Sequence, residues 1–128
     1  ATALLLMPDD LRYAYDLFER HGGTRAVLSV TRYPEPVEWA YEMHNDASLT
    51  AREPGMFARR SQDLLPKFYD AGMFSVFSSS RIMYGPHDDT GFLGYELPRH
   101  RAVDIDRAED LVFAEILFHG RSAAAHND

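Results

Sequence analysis

The chain has no cysteine, a single lysine and a single tryptophan among 128 residues. Without cysteine there are no disulfides and no thiolate metal sites, although this assigns no compartment. No apolar run approaches the roughly 20 residues of a membrane helix; the stretch from Ala3 to Met7 is far too short and has no basic residue before it. Positive charge is also scarce, with thirteen basic against twenty acidic residues and a formal net charge of −7. Such a chain offers no positive field to a nucleic-acid backbone. The six histidines show no zinc-protease spacing, and neither a Gly-x-Ser-x-Gly elbow nor a Walker loop occurs. A soluble, cytoplasmic protein that binds neither membrane nor nucleic acid is the expectation.

What is present suffices for one core, since 45% of residues are hydrophobic. Leu4 to Met7 is expected as a buried strand, so that the chain starts mid-fold. Pro8 at a first helical position, Asp9 and Asp10 at the positive helix start, and Leu11, Ala14, Tyr15 and Phe18 at helical spacing predict a helix that Gly22-Gly23 ends. Strands follow at 25–31 and 37–43, separated by Pro34 and Pro36, with a turn at Asn45-Asp46. Residues 47–66 lack a sustained period and read as a long connection, a kind of loop that is usually functional or packed on a partner. Further strands are expected at 71–77, 92–97 and 102–105. A short helix starts at Ser78-Ser79-Ser80, a turn-rich loop runs from Gly85 to Gly91, and a helix at 107–119, apolar on nearly all sides, is expected to be buried in the core or at a subunit contact. The alternation of helix and strand predicts an α/β fold with a mixed, mostly parallel sheet flanked by helices.

Several constellations carry chemistry. Asp104 and Asp106 alternate with Val103 and Ile105, so on a strand both carboxylates would share one face and could take Mg²⁺ with phosphate oxygens and waters. The competing reading makes Asp106 and Glu109 a helix capping box and leaves Asp104 solvated. Arg59, Arg60, Gln62 and Asp63 could grip an acidic ligand, or could be exposed groups paired with acids. Tyr69, Phe74 and Phe77 could form an apolar wall or ordinary core, with core favoured for Phe77. Arg99, His100 and Arg101 could balance phosphate or carboxylate charge, or form a surface turn. Trp39 could anchor an interface or sit half-buried.

The segment from Arg59 to Phe74, together with Asp104-Ile-Asp106, resembles the later motifs of the acylneuraminate cytidylyltransferases, especially the pseudaminic acid branch. Weaker matches are Thr2-Ala3, Leu5, Asp10-Leu11, Arg32-Tyr33-Pro34, Pro36 and Trp39-Ala40, so the resemblance runs from about Thr2 to Leu117. It implies part of a Rossmann-like nucleotide-diphospho-sugar transferase fold, with residues 1–120 as the C-terminal, acceptor-sugar and dimerisation portion and 121–128 as a flexible tail. It implies an enzyme that couples CTP to an acidic nine-carbon sugar to give a CMP-sugar and pyrophosphate. By resemblance Asp104 and Asp106 hold Mg²⁺, and Arg60 is the main substrate contact with Arg59 secondary. Gln62, Tyr69 and Phe74 then orient the sugar, and the protein is a homodimer. The family's Gly-rich, Lys-containing loop that cradles CTP has no match in these residues, so the chain is expected to bind CTP poorly and to be inactive alone. A noncatalytic dimerising or sugar-binding module derived from that fold is the alternative.

Overall fold

The computed structural model describes residues 3–85 and 91–124, with side chains described as far as residue 120. Thr2, most of the expected loop at 85–91 and residues 125–128 of the expected tail lie outside the described residues. The chain divides into two compact units, one comprising residues 1–31 and 70–128 and the other residues 32–69.

In the first unit, helix α1 (Pro8–Arg20) starts at the proline. It stops where the N–H groups of Gly22 and Gly23 return to the carbonyls of Glu19 and Phe18 at 2.9 and 3.0 Å, both glycines having positive φ. Its buried face presents Ala14 and Phe18 to Val27 of strand β1 (Val27–Arg32), while Leu17 packs at the margin. Strand β5 (Leu93–Glu96) pairs with β1 in parallel, with Val27 opposite Leu93 and Val30 opposite Glu96. Strand β4 (Phe68–Val76) lies on the other side of β1. Its numbering falls as that of β1 rises, from Met73 beside Ser29 to Lys67 beside Tyr33, so this pair is antiparallel and the sheet is mixed. A second core cluster gathers Ala71, Met73 and Leu97, with Phe74 and Tyr95 bordering both clusters. The fold is therefore α/β, with a parallel strand pair and flanking helices.

Two expected strands are absent. Residues 4–7 form a turn, closed by the Leu6 N–H on the Ala3 carbonyl at 3.2 Å, and only Leu5 is fully buried. Residues 102–105 are irregular, between a 3₁₀ turn at Arg99–Arg101 and helix α3 (Ala108–Ala124). Both segments have apolar side chains but no neighbouring strand, and a strand without a ladder leaves its backbone groups unpaired. The helix α2 (Ser79–Tyr84) is capped as expected, the Ser78 hydroxyl accepting the Arg81 N–H at 3.1 Å. Of the two places expected for helix α3, the core covers little of it. Ala114 is fully buried, but Leu111, Val112, Phe113, Ile116 and Phe118 are each between 42% and 63% exposed, so a helix apolar all round meets the core along one line only.

The second unit is built differently. The expected strand at 37–43 begins as a 3₁₀ turn (Val37–Trp39) after Pro36, and only β2 (Tyr41–Met43) is extended. It pairs antiparallel with β3 (Leu49–Ala51), placing a strand inside the supposed long connection. The intervening turn is held by Asp46, whose carboxylate accepts the Ser48 N–H at 3.0 Å and its hydroxyl at 2.6 Å. Two further 3₁₀ turns, Met56–Ala58 and Ser61–Asp63, complete the segment.

Candidate functional site

The sequence candidates fall on both units. In residues 32–69, Arg60 precedes the turn at Ser61–Asp63 and is exposed, and the Arg59 guanidinium, also exposed, donates to the Asp63 carbonyl at 3.2 Å across that turn. Gln62 opens onto a cleft of about 320 Å³ that is also lined by Arg32, Tyr33, Glu35, Leu64 and Lys67. Of the candidates, Gln62 is the one that lines this cleft; Arg59, Arg60 and Tyr69 do not. Tyr69 stacks obliquely on Tyr33, ring centres 4.8 Å apart, and the Arg32 guanidinium lies over the Phe68 ring at 5.6 Å. Tyr33 is in turn fixed by its N–H on the Lys67 carbonyl at 3.0 Å.

Lys67 and Arg32 were not singled out from sequence as site residues. The available signal was the rarity of lysine, which leaves Lys67 as the chain's sole ammonium. Its Nζ pairs with Glu38 Oε1 at 3.3 Å, while Glu38 Oε2 is buried with no hydrogen-bond partner among the described residues. The Glu38 carboxyl is held below its ordinary value, first by its own backbone N–H and then by Lys67 and Arg59. Trp39 is half-buried, its indole N–H donating to the Met56 carbonyl at 3.1 Å and its ring 5.6 Å from that of Phe57.

In the other unit, Phe74 packs in the core with its ring 5.8 Å from that of Tyr95, and Phe77 meets Phe92 edge-on at 6.4 Å while staying 38% exposed. Arg99 and His100 are exposed, but Arg101 is neither a surface group nor free to meet an anion. It donates to Asp10 Oδ2 at 2.6 Å, and Asp10 is 3% exposed. The same carboxylate accepts the Met7 N–H at 2.8 Å and the Tyr95 hydroxyl at 3.1 Å. A residue expected only to favour a helix start is thus the hub that ties the beginning of α1 to β5 and to the segment before α3. Burial, followed by the hydrogen bond to Asp10 and its charge, raises the Tyr95 hydroxyl above its ordinary value.

Asp104 and Asp106 are both exposed, and Val103 and Ile105 between and before them are partly covered, so the expected alternation survives without the strand. The capping expectation changes hands. Asp110 accepts the N–H groups of Asp106 and Arg107 at 3.1 and 2.8 Å, and Glu109 instead meets the Arg107 guanidinium at 3.3 Å. That leaves the carboxylates of Asp104 and Asp106 outside the cap. Among the described residues no group of three or more His, Asp or Glu is gathered to enclose a cation. Two exposed carboxylates nevertheless suit Mg²⁺, which takes hard oxygens and is commonly held in nucleotide sites by one or two carboxylates with substrate phosphates and water.

With the two carboxylates and the Arg59–Phe74 segment in place, sequence comparison adds what the chain is similar to. The chain is 31% and 30% identical, over 124 residues, to two pseudaminic acid cytidylyltransferases of Campylobacter jejuni subsp. jejuni, from serotypes O:2 and O:23/36. The match covers 92% of this chain and 51% of each relative, so the chain spans about half the length of the curated relatives it matches. No family model matches. Among the described residues no helix is long and apolar enough to cross a membrane.

Proposed function

We propose that this chain is the acceptor-sugar portion of a cytidylyltransferase that activates an acidic nine-carbon sugar of the pseudaminic or sialic acid type with CTP. The observation that carries the reading is the continuous similarity to two enzymes of that name across both the Arg59–Phe74 segment and Asp104-Ile-Asp106. In the reaction the anomeric hydroxyl of the sugar attacks the α-phosphorus of CTP. A new P–O bond forms, the α–β phosphoanhydride bond breaks, pyrophosphate leaves and the hydroxyl proton passes to base or solvent. Asp104 and Asp106 would hold Mg²⁺, which supplies charge neutralisation to the phosphates.

The residues of the chain mainly bind and orient. The cleft of about 320 Å³ at Gln62 falls at the lower end of small-ligand sites. Arg32 and Lys67 bring positive charge to its wall, Gln62 brings an amide able both to donate and to accept, and Arg60 stands exposed beside it in sequence. Holding the sugar carboxylate and hydroxyls in this way lowers the barrier through orientation rather than through a protein nucleophile. The test is titration of ¹⁵N-labelled chain with N-acetylneuraminate and with pseudaminic acid, followed by amide shifts. Saturable shifts centred on Arg32, Gln62 and Lys67 are expected for at least one sugar. Shifts absent there, or scattered over α1, would overturn the reading.

A second reading is a dimerising module, and the β2–β3 hairpin favours it. Met43 and Leu49 are 75% and 58% exposed on a two-stranded sheet of a kind that is marginal without further covering, and Phe57 in the following 3₁₀ turn is 63% exposed. Sedimentation distinguishes it, since a monomer at micromolar concentration would remove the homodimer.

A further inference from the structure

We propose that Gly72 is a positioning residue for Asp104, its missing side chain leaving the notch in which the carboxylate rests. The inference deepens the proposed function and rests on Asp104 being a metal-holding residue. It starts from the backbone of β4. Gly72 has φ +67°, and its N–H donates to Asp70 Oδ1 at 2.9 Å. The next two N–H groups, of Met73 and Phe74, both donate to the hydroxyl of Ser29 at 3.1 Å. In a regular strand successive N–H groups point to opposite edges, so two neighbours meeting one oxygen mark a bulge, which often re-aims chain near a functional site.

Space at that bulge is the second observation. A Cβ added at residue 72 would lie 2.9 Å from Asp104 Oδ2, nearer than a Cβ rests against an oxygen, and a tight 3.3 Å from its Cγ. One side has to move. The β4 side is held by the fully buried Ser29 hydroxyl and by Ala71 and Met73 in the core. Asp104 sits exposed in an irregular segment. The carboxylate therefore yields, and any cation it holds loses an oriented ligand. Packing against a supporting group matters to metal sites because orientation of the ligand contributes to affinity.

The experiment uses the full chain, ¹⁵N-labelled, with Mn²⁺ as a paramagnetic stand-in for Mg²⁺, and compares the parent with Gly72→Ala and Gly72→Asn. Asparagine tolerates positive φ better than alanine, so Gly72→Asn isolates displacement from backbone strain and keeps a folded variant in hand. Both are expected to weaken Mn²⁺ broadening of the Asp104 and Asp106 amides roughly tenfold or more. A thermal-unfolding cycle adds Asp104→Ala and Gly72→Ala/Asp104→Ala. Its midpoint shifts are expected to be less than additive, because without the carboxylate the new methyl meets no obstacle. Unchanged Mn²⁺ affinity in both Gly72 variants, or strictly additive midpoint shifts, would overturn the proposal. Should the parent itself show no broadening near Asp104, the metal reading of the proposed function fails, while the cycle still decides whether residue 72 sets the place of this carboxylate.

Discussion

Residues 32–69 and the remainder of the chain are held together by different means. Every fully buried residue among those described, from Leu5 and Asp10 to Leu97 and Ala114, belongs to the unit formed by residues 1–31 and 70–128. Residues 32–69 contribute none, and are organised by a short hairpin, 3₁₀ turns, tilted aromatic pairs and the Glu38–Lys67 ion pair. Core burial, with contributions of about 1.5–3 kcal/mol per large side chain, determines the first unit, whereas the second relies on contacts that water can replace. A segment of that kind opens at low cost and can remodel around a ligand, which suits the acceptor side of the proposed reaction.

The comparison predicts an ordering of effects. Asp10→Ala should be the largest, because it strands the partly buried Arg101 guanidinium and frees the Tyr95 hydroxyl; breaking such a pair costs about 3–5 kcal/mol, read by urea denaturation. A loss below 1 kcal/mol would show that the hub is not what ties α1 to the sheet. Phe18→Ala should cost about 3 kcal/mol from core truncation, against less than about 1 kcal/mol for Phe57→Ala in the exposed 3₁₀ turn. Equal losses from the two truncations would abolish the distinction between the units.

Smaller effects should appear as pH dependence, with opposite signs in the two units. The Tyr95 hydroxyl is raised above 10.0 in the fold, so its contribution is present at lower pH and is lost as pH climbs through the raised value. Tyr95→Phe should flatten that alkaline limb. The Glu38 carboxyl is lowered from 4.5, so its contribution is present above 4.5 and disappears as pH falls through the lowered value. Glu38→Gln should remove that acid sensitivity from the amide signals of residues 32–69, and persistence of the same acid transition in the variant would assign it elsewhere.

Legibility in the sequence followed the range of the forces involved. The start of α1 at Pro8, its stop at Gly22-Gly23, the Ser78 cap and the Asn45-Asp46 turn were readable because each depends on hydrogen bonds spanning a few residues. Strands misread at 4–7 and 102–105 had the right side chains, but their existence hinges on a ladder partner that apolar patterning does not reveal. The hairpin strand Leu49–Ala51 was hidden for the converse reason, since a short polar-bordered run becomes a strand only when Tyr41–Met43 lies beside it. For the candidate site, the motif named Gln62, which lines the cleft, while the cleft residues Arg32 and Lys67 became visible once the fold placed them together.

By itself the sequence determined the likeness to two cytidylyltransferases, the α/β alternation and the spacing that leaves Asp104 and Asp106 exposed between covered apolar neighbours, because these reside in residue identity and local order. Tertiary structure alone decided that Asp10 would spend its charge on Arg101, 91 positions away, and that Asp104 would rest against Gly72. Both depend on chain segments distant in sequence meeting at contact distance, where desolvation and close packing make a carboxylate's neighbours count for more than its position in a motif.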